Sequence, residues 1–154
     1  TLFRSSFIQR EGWAEALAPA ELDAFISQLQ ASPDALLKRF AALIHAGDSN
    51  ARTNQRAMKA CLANGLPADA ASLASGLALL GAADLRGHAF AADQPVLLLH
   101  GAADPPMPLA GAERLARQLS SATLDVFDGA AHAPFASDVG RFVAAVCAFA
   151  GVDA

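Results

Sequence analysis

Pro95-Val96-Leu97-Leu98-Leu99-His100-Gly101-Ala102-Ala103-Asp104 is the stretch whose reading decides the fold. Four consecutive apolar residues follow a proline and end at a polar, glycine-containing loop. Continuous rather than alternating apolarity fits a strand buried on both faces, as strands of parallel sheets are. Downstream, Leu109 to Leu119 has a helical pattern, Ala122 to Phe127 reads as a second strand, and after a turn a final helix is predicted from about Asp138 to Phe149. Strand, helix, strand, helix is the order of a parallel α/β sheet. Two strands alone leave both sheet edges open. The missing strands are therefore expected before Thr1, and the opening Thr1-Leu2-Phe3 reads as entry partway through a fold.

Upstream, from about Pro19 to Leu80, the pattern is helical. Ser32 suits an N-cap and Pro33 a first helical position, after which Leu36, Leu37, Phe40, Leu43 and Ile44 repeat at helical spacing until Gly47. A second helix is predicted from about Asn50 to Asn64, stopped by Gly65 and Pro67. A third, from about Ala68, puts Leu73, Leu77 and Leu80 on one face before Gly81. The expected organisation is a segment 1–18 leaving the core sheet, a helical subdomain 19–90, and an α/β part 91–154. Gly81-Ala82-Ala83-Asp84 echoes Gly101-Ala102-Ala103-Asp104, a match too short to signify duplication.

Composition narrows the function classes. A hydrophobic fraction of 54% with 17% charge excludes a disordered chain, and a net charge of −4 argues against a nucleic-acid binder. Between Lys38 and Lys59, five basic residues face one acid, Asp48, so this segment carries +4 and the remainder −8. Apolar runs are interrupted well before bilayer-spanning length, so no membrane segment is expected. Without a signal-like opening or a CxxC pair, a cytoplasmic location is the default. The separated Cys61 and Cys147 and the histidine spacings offer no metal site, and no cofactor is expected.

In open α/β sheets the reactive groups collect on loops at the carboxyl ends of strands. Asp104 follows the first predicted strand and His132 follows the second through Asp128-Gly129-Ala130-Ala131, one strand-helix unit apart. A carboxylate beside an imidazole holds its tautomer and stabilises the imidazolium formed when the ring takes a proton from a hydroxyl. Asp84 follows a helical stretch instead and, in Asp84-Leu85-Arg86, suits a helix exit or a salt bridge. His45, His88 and His100 are read as structural. The nucleophile of such a triad sits in G-x-S-x-G on a strand-to-helix turn. The nearest approach, Gly47-Asp48-Ser49-Asn50-Ala51, follows helical spacing and lacks the last glycine, so Ser49 is read as an N-cap and the chain as having no nucleophile.

Leu98 to Asp104 with Pro108, and Phe127-Asp128-Gly129-Ala130-Ala131-His132-Ala133-Pro134-Phe135, resemble the acid and histidine loops of the pimeloyl-acyl-carrier-protein methyl ester esterases of biotin synthesis. Lys38-Arg39-Phe40, Asn50-Ala51-Arg52 with Arg56, and Gly76-Leu77 leading to Asp84-Leu85-Arg86 are similar to that family's helical cap. The resemblance implies the C-terminal part of an α/β-hydrolase fold, cap plus last two strands, from a serine carboxylesterase whose N-terminal half carries the nucleophile. It implies Asp104 and His132 as catalytic acid and base, Phe40 and Phe135 as substrate-binding residues, and Arg39, Arg52 and Arg56 as residues facing an acyl carrier protein. A further cap arginine of some members is Ala35 here. Arg52, Arg56 and Lys59 form one helical stripe without an intervening acid, which suits an acidic partner or a phosphate. Two rivals stand beside this reading: another α/β-hydrolase, a thioesterase or general carboxylesterase, and a non-enzymatic helical binding module.

Overall fold

The computed structural model describes residues 5–63, 69–87 and 94–153. Its elements run α1 (Pro19–Ala31), α2 (Pro33–Leu43), α3 (Ala51–Leu62), α4 (Ala70–Ala82), β1 (Val96–Gly101), α5 (Leu109–Gln118), β2 (Ala122–Phe127), α6 (Pro134–Ser137) and α7 (Val139–Ala150). The predicted strand-helix-strand-helix order is present, with β1 and β2 parallel in a register from Val96 opposite Ala122 to Gly101 opposite Phe127. Because the register is even, both strands end at the same level, and the loops that follow them emerge side by side.

The reason these segments pack is legible locally. Leu98 on β1 clusters with Leu115 of α5 and with Leu119, which caps that helix, and Val96 and Leu124 pack against them. Burying each such leucine stabilises the fold by roughly 1.5–3 kcal/mol. On α7, the Asp138 side chain accepts from the Arg141 amide at 3.0 Å, and Gly151 ends the helix in the left-handed region. Arg141 then crosses to β2, stacking over the Phe127 ring and bonding Asp125 and the Val126 carbonyl.

The helical region packs pairwise, α1 on α4 and α2, and α2 on α3. Gly81 lets α4 approach α1, since a Cβ there would stand 2.8 Å from the Leu22 side chain. Segment 5–18 folds back on itself through a backbone bridge between Ile8 and Leu17 and joins the end of the helical layer through one between Ser6 and Asp84. Its Trp13 is buried.

Three local expectations are corrected. Ser49 is not a cap: α3 starts at Ala51 behind Asn50, and the Asn50 amide donates to Asp48 Oδ1 at 2.6 Å. Ser32 occupies the N-cap position of α2, but its hydroxyl makes no capping bond. The predicted turn after His132 contains the short helix α6, which Pro134 opens. Gly65, Pro67 and His88 lie outside the described residues.

Candidate active site

The loops leaving β1 and β2 are stitched together by backbone bonds, Ala102 N to Phe127 O and Ala103 N to Ala130 O, both at 3.0 Å. The approach is so close that a Cβ on Gly101 would lie 1.8 Å from the Ala131 carbonyl oxygen. Glycine at this strand end therefore lets the acid loop and the histidine loop meet.

Where they meet, His132 Nδ1 is 2.9 Å from Asp104 Oδ2. The other carboxylate oxygen, Oδ1, accepts the Met107 amide at 3.0 Å. The Asp104 side chain is 6% exposed and that of His132 36%. A carboxylate at this distance can accept only from a protonated Nδ1, so in the neutral ring it selects the tautomer whose lone pair lies on Nε2. His100 stands 3.8 Å from the same Oδ2, beyond hydrogen-bond reach, with its Nδ1 at 2.9 Å from the Gly101 carbonyl.

These groups line a cleft with Trp13, Met107 and Pro108. Trp13 and the neighbouring Glu15 come from segment 5–18, and Arg114 of α5 locks them, lying 4.6 Å above the Trp13 ring and pairing with Glu15 at 2.8 Å. The hydrogen bond from Arg114 holds the Glu15 carboxyl below its ordinary value. Sequence reasoning passes over Trp13, because a lone tryptophan in an irregular segment carries no periodic signal.

The other expected site residues are placed as follows. Asp84 pairs with Arg86 at 2.7 Å and lies 3.9 Å from Arg10, remote from the His132 ring in its contacts. Ser49 lies beside the histidine loop, its amide donating to the Gly129 carbonyl at 2.8 Å and its hydroxyl facing Gly129. Phe40 meets Phe25 edge-on at 6.0 Å, and Phe135 meets Phe142 at 6.0 Å. Neither is among the residues lining the cleft beside His132. Arg39 on α2 donates to Gln28 at 3.0 Å. On α3, Ala51, Asn54, Gln55, Met58 and Leu62 are half-buried, so Arg52, Arg56 and Lys59 fall on the exposed side. They pair with no acid among the described residues. Among the described residues no group of three His, Cys, Asp or Glu side chains could hold a metal ion, and no helix is long and apolar enough to cross a membrane.

Comparison with known proteins agrees with this architecture. Residues 81–141 match the family described as TAP-like protein, of the α/β-hydrolases. The chain is 44% identical over 125 residues to a pimeloyl-acyl-carrier-protein methyl ester esterase of Aromatoleum aromaticum, covering 81% of this chain and 50% of that protein. It is 31% identical over 137 residues to the protein of the same name from Nitrosomonas europaea, covering 89% and 54%. The chain thus spans about half the length of the curated relatives it matches. Among solved structures, an esterase from Exiguobacterium antarcticum superposes with a TM-score of 0.79 at 21% identity, over 95% of this chain and 53% of that one. A bromoperoxidase from Bacillus anthracis gives 0.75 at 18% identity, over 95% and 54%. The chain belongs to the α/β-hydrolase superfamily, has the architecture of its C-terminal part, and is homologous over about half their length to pimeloyl-acyl-carrier-protein methyl ester esterases.

Proposed function

We propose that this chain supplies the acid, the base and the cap of a serine carboxylic ester hydrolase that demethylates a pimeloyl methyl ester carried on acyl carrier protein. The observation that carries the reading is the contact between His132 Nδ1 and Asp104 Oδ2, 2.9 Å long, at the carboxyl ends of two adjacent parallel strands. In this reading residues 19–90 are the cap and residues 91–154 the last part of the core, with segment 1–18 leading out of the sheet. The serine comes from a part of the fold outside these 154 residues.

The chemistry follows from the proton positions. His132 Nε2 takes the serine proton as the serine oxygen attacks the ester carbonyl, and Asp104 stabilises the imidazolium. The imidazolium returns the proton to the departing methoxide, and methanol leaves an acyl-enzyme. Water, deprotonated by the same nitrogen, then attacks that acyl group and releases the free carboxyl and the serine. Both half-reactions start from the neutral ring with its proton on Nδ1, the tautomer that a carboxylate at that nitrogen selects.

The choice of carrier rests on the names of the relatives and on the exposed basic side of α3. Acyl carrier proteins are acidic, so Arg52 and Arg56, with Arg39 on the neighbouring helix, raise the encounter rate and orient the complex. A short free ester needs neither service. Charge reversal, Arg52→Glu with Arg56→Glu, in the enzyme with its nucleophile-bearing part present should raise KM for a carrier-linked methyl ester and leave a short free ester nearly unchanged. Added salt should mimic the substitutions, because exposed charges are screened beyond about 8 Å at physiological ionic strength. Equal losses on both substrates would assign the stripe to the folding of the cap, and no loss on either would leave it a solvated face.

A further inference from the structure

We propose that Asp48, in the turn between α2 and α3, is a positioning residue that holds His132 in register with Asp104. The inference rests on the reading of His132 as the base. Gly47, at φ +87°, reverses the chain after α2 and turns the next side chain inward. The Asp48 side chain is 0% exposed. A buried carboxylate is tolerated only when its lone pairs are occupied. Here the Asn50 amide donates to Oδ1 at 2.6 Å, while Asn54 Nδ2, at 3.3 Å, and the Ser137 hydroxyl donate to Oδ2. His45 Nδ1 stands 3.9 Å from Oδ2, outside hydrogen-bond reach.

The first two donors belong to the start of α3, but the third lies 89 residues away, in α6, just after His132. Around it the same turn makes three more bonds to the histidine loop. Ser49 N donates to Gly129 O at 2.8 Å, His132 N to Ile44 O at 3.0 Å, and Asn50 Nδ2 to Ser137 O at 3.0 Å. Residues 129–137 are thus pinned on both sides of His132 by one turn of the helical layer. That turn also touches the acid loop, where a Cβ on Gly47 would lie 3.0 Å from Ala103 Cβ. The His132 side chain is one-third exposed, and beyond its contact with Asp104 its aim depends on the backbone that this frame holds on both sides of it. Asp48 is the buried centre of the frame, receiving donors from α3 and α6 together.

The test compares wild type, Asp48→Ala, Ser137→Ala and Ser137→Thr in the full-length protein, reading kcat and KM on a short free ester, Tm, and the imidazole 15N shifts of His132 that report its tautomer. Misplacing a catalytic group by about 1 Å costs on the order of 10²-fold in rate. Asp48→Ala should therefore lower kcat by about that factor with KM nearly unchanged and shift the His132 15N signals toward mixed tautomers. Ser137→Ala should do the same to a smaller degree, and Ser137→Thr should restore both readouts. A folded Asp48→Ala protein with wild-type kcat and wild-type 15N shifts would overturn the proposal. If Asp48→Ala does not fold, an unchanged tautomer and rate in Ser137→Ala overturns it instead. If the wild-type protein hydrolyses no ester, the proposed function fails, and the 15N shifts alone still decide whether Asp48 positions the ring.

Discussion

Replacing Gly101 by alanine adds one methyl group at the point where the acid and histidine loops converge. That Cβ would sit 1.8 Å from the Ala131 carbonyl oxygen and 2.6 Å from that of Ala130, whereas real Cβ atoms essentially never approach within 3.0 Å. Relieving the first contact requires a displacement of at least 1.2 Å, and the obstacle is backbone, which cannot rotate aside as a flexible side chain would. Overpacking of this kind costs about 1–3 kcal/mol. The displacement also breaks the bond from Ala103 N to Ala130 O, worth about 1 kcal/mol more. A loss of about 2–4 kcal/mol corresponds to a fall in Tm of roughly 5–15 °C. Because Ala131 precedes His132, activity should fall as well, on the order of 10²-fold in kcat. Thermal unfolding of Gly101→Ala against Gly76→Ala is the assay. A Cβ at Gly76, inside α4, meets nothing within 4 Å, so that change should be neutral or stabilise by up to about 1 kcal/mol. Equal stability of the two variants would refute the described approach of the loops.

In the enzyme with its nucleophile, His132→Ala should lower kcat by roughly 10³-fold or more, since the serine loses its base. Asp104→Asn should cost far more than Asp84→Asn, and equal effects in well-folded variants would move the acid to Asp84. Asp84 itself should contribute to stability in a pH-dependent way. The Arg86 side chain bonded to it holds its carboxyl down to about 2, from an ordinary 3.8. A depressed carboxyl stabilises the fold fully above its unfolded value and loses that contribution as pH falls toward its folded value. The stability gap between wild type and Asp84→Asn should therefore be full near pH 6 and smaller near pH 3. Urea midpoints at the two values check this, and a gap that does not shrink would show that the ion pair is not the source.

Features that rest on short-range pattern are legible in the amino-acid sequence itself. The Val96 to Leu99 run announces a buried strand because a strand covered on both faces must be apolar at every position. The spacing of Asp104 and His132 across one strand-helix unit follows from the same regularity. Parallel strands in even register bring successive loops together, as the 2.9 Å contact of these two side chains shows. Asp84 is separable from Asp104 because its echo follows a helix, and its arginine partner lies two residues away.

What the sequence could not display were contacts made across the whole chain. Trp13 lines the cleft beneath Arg114, about a hundred residues later, which stacks on it and pairs with Glu15. Asp48 reads locally as a turn residue, and nothing near it in sequence points to Ser137. The need for glycine at position 101 comes from the carbonyl of Ala131, which no local rule brings within 1.8 Å of it. Propensity and periodicity are properties of neighbours along the chain and set the elements and their order. Which loops touch, and which buried carboxylate holds them, depends on groups far apart in sequence being brought together by packing, and only the tertiary structure decided that.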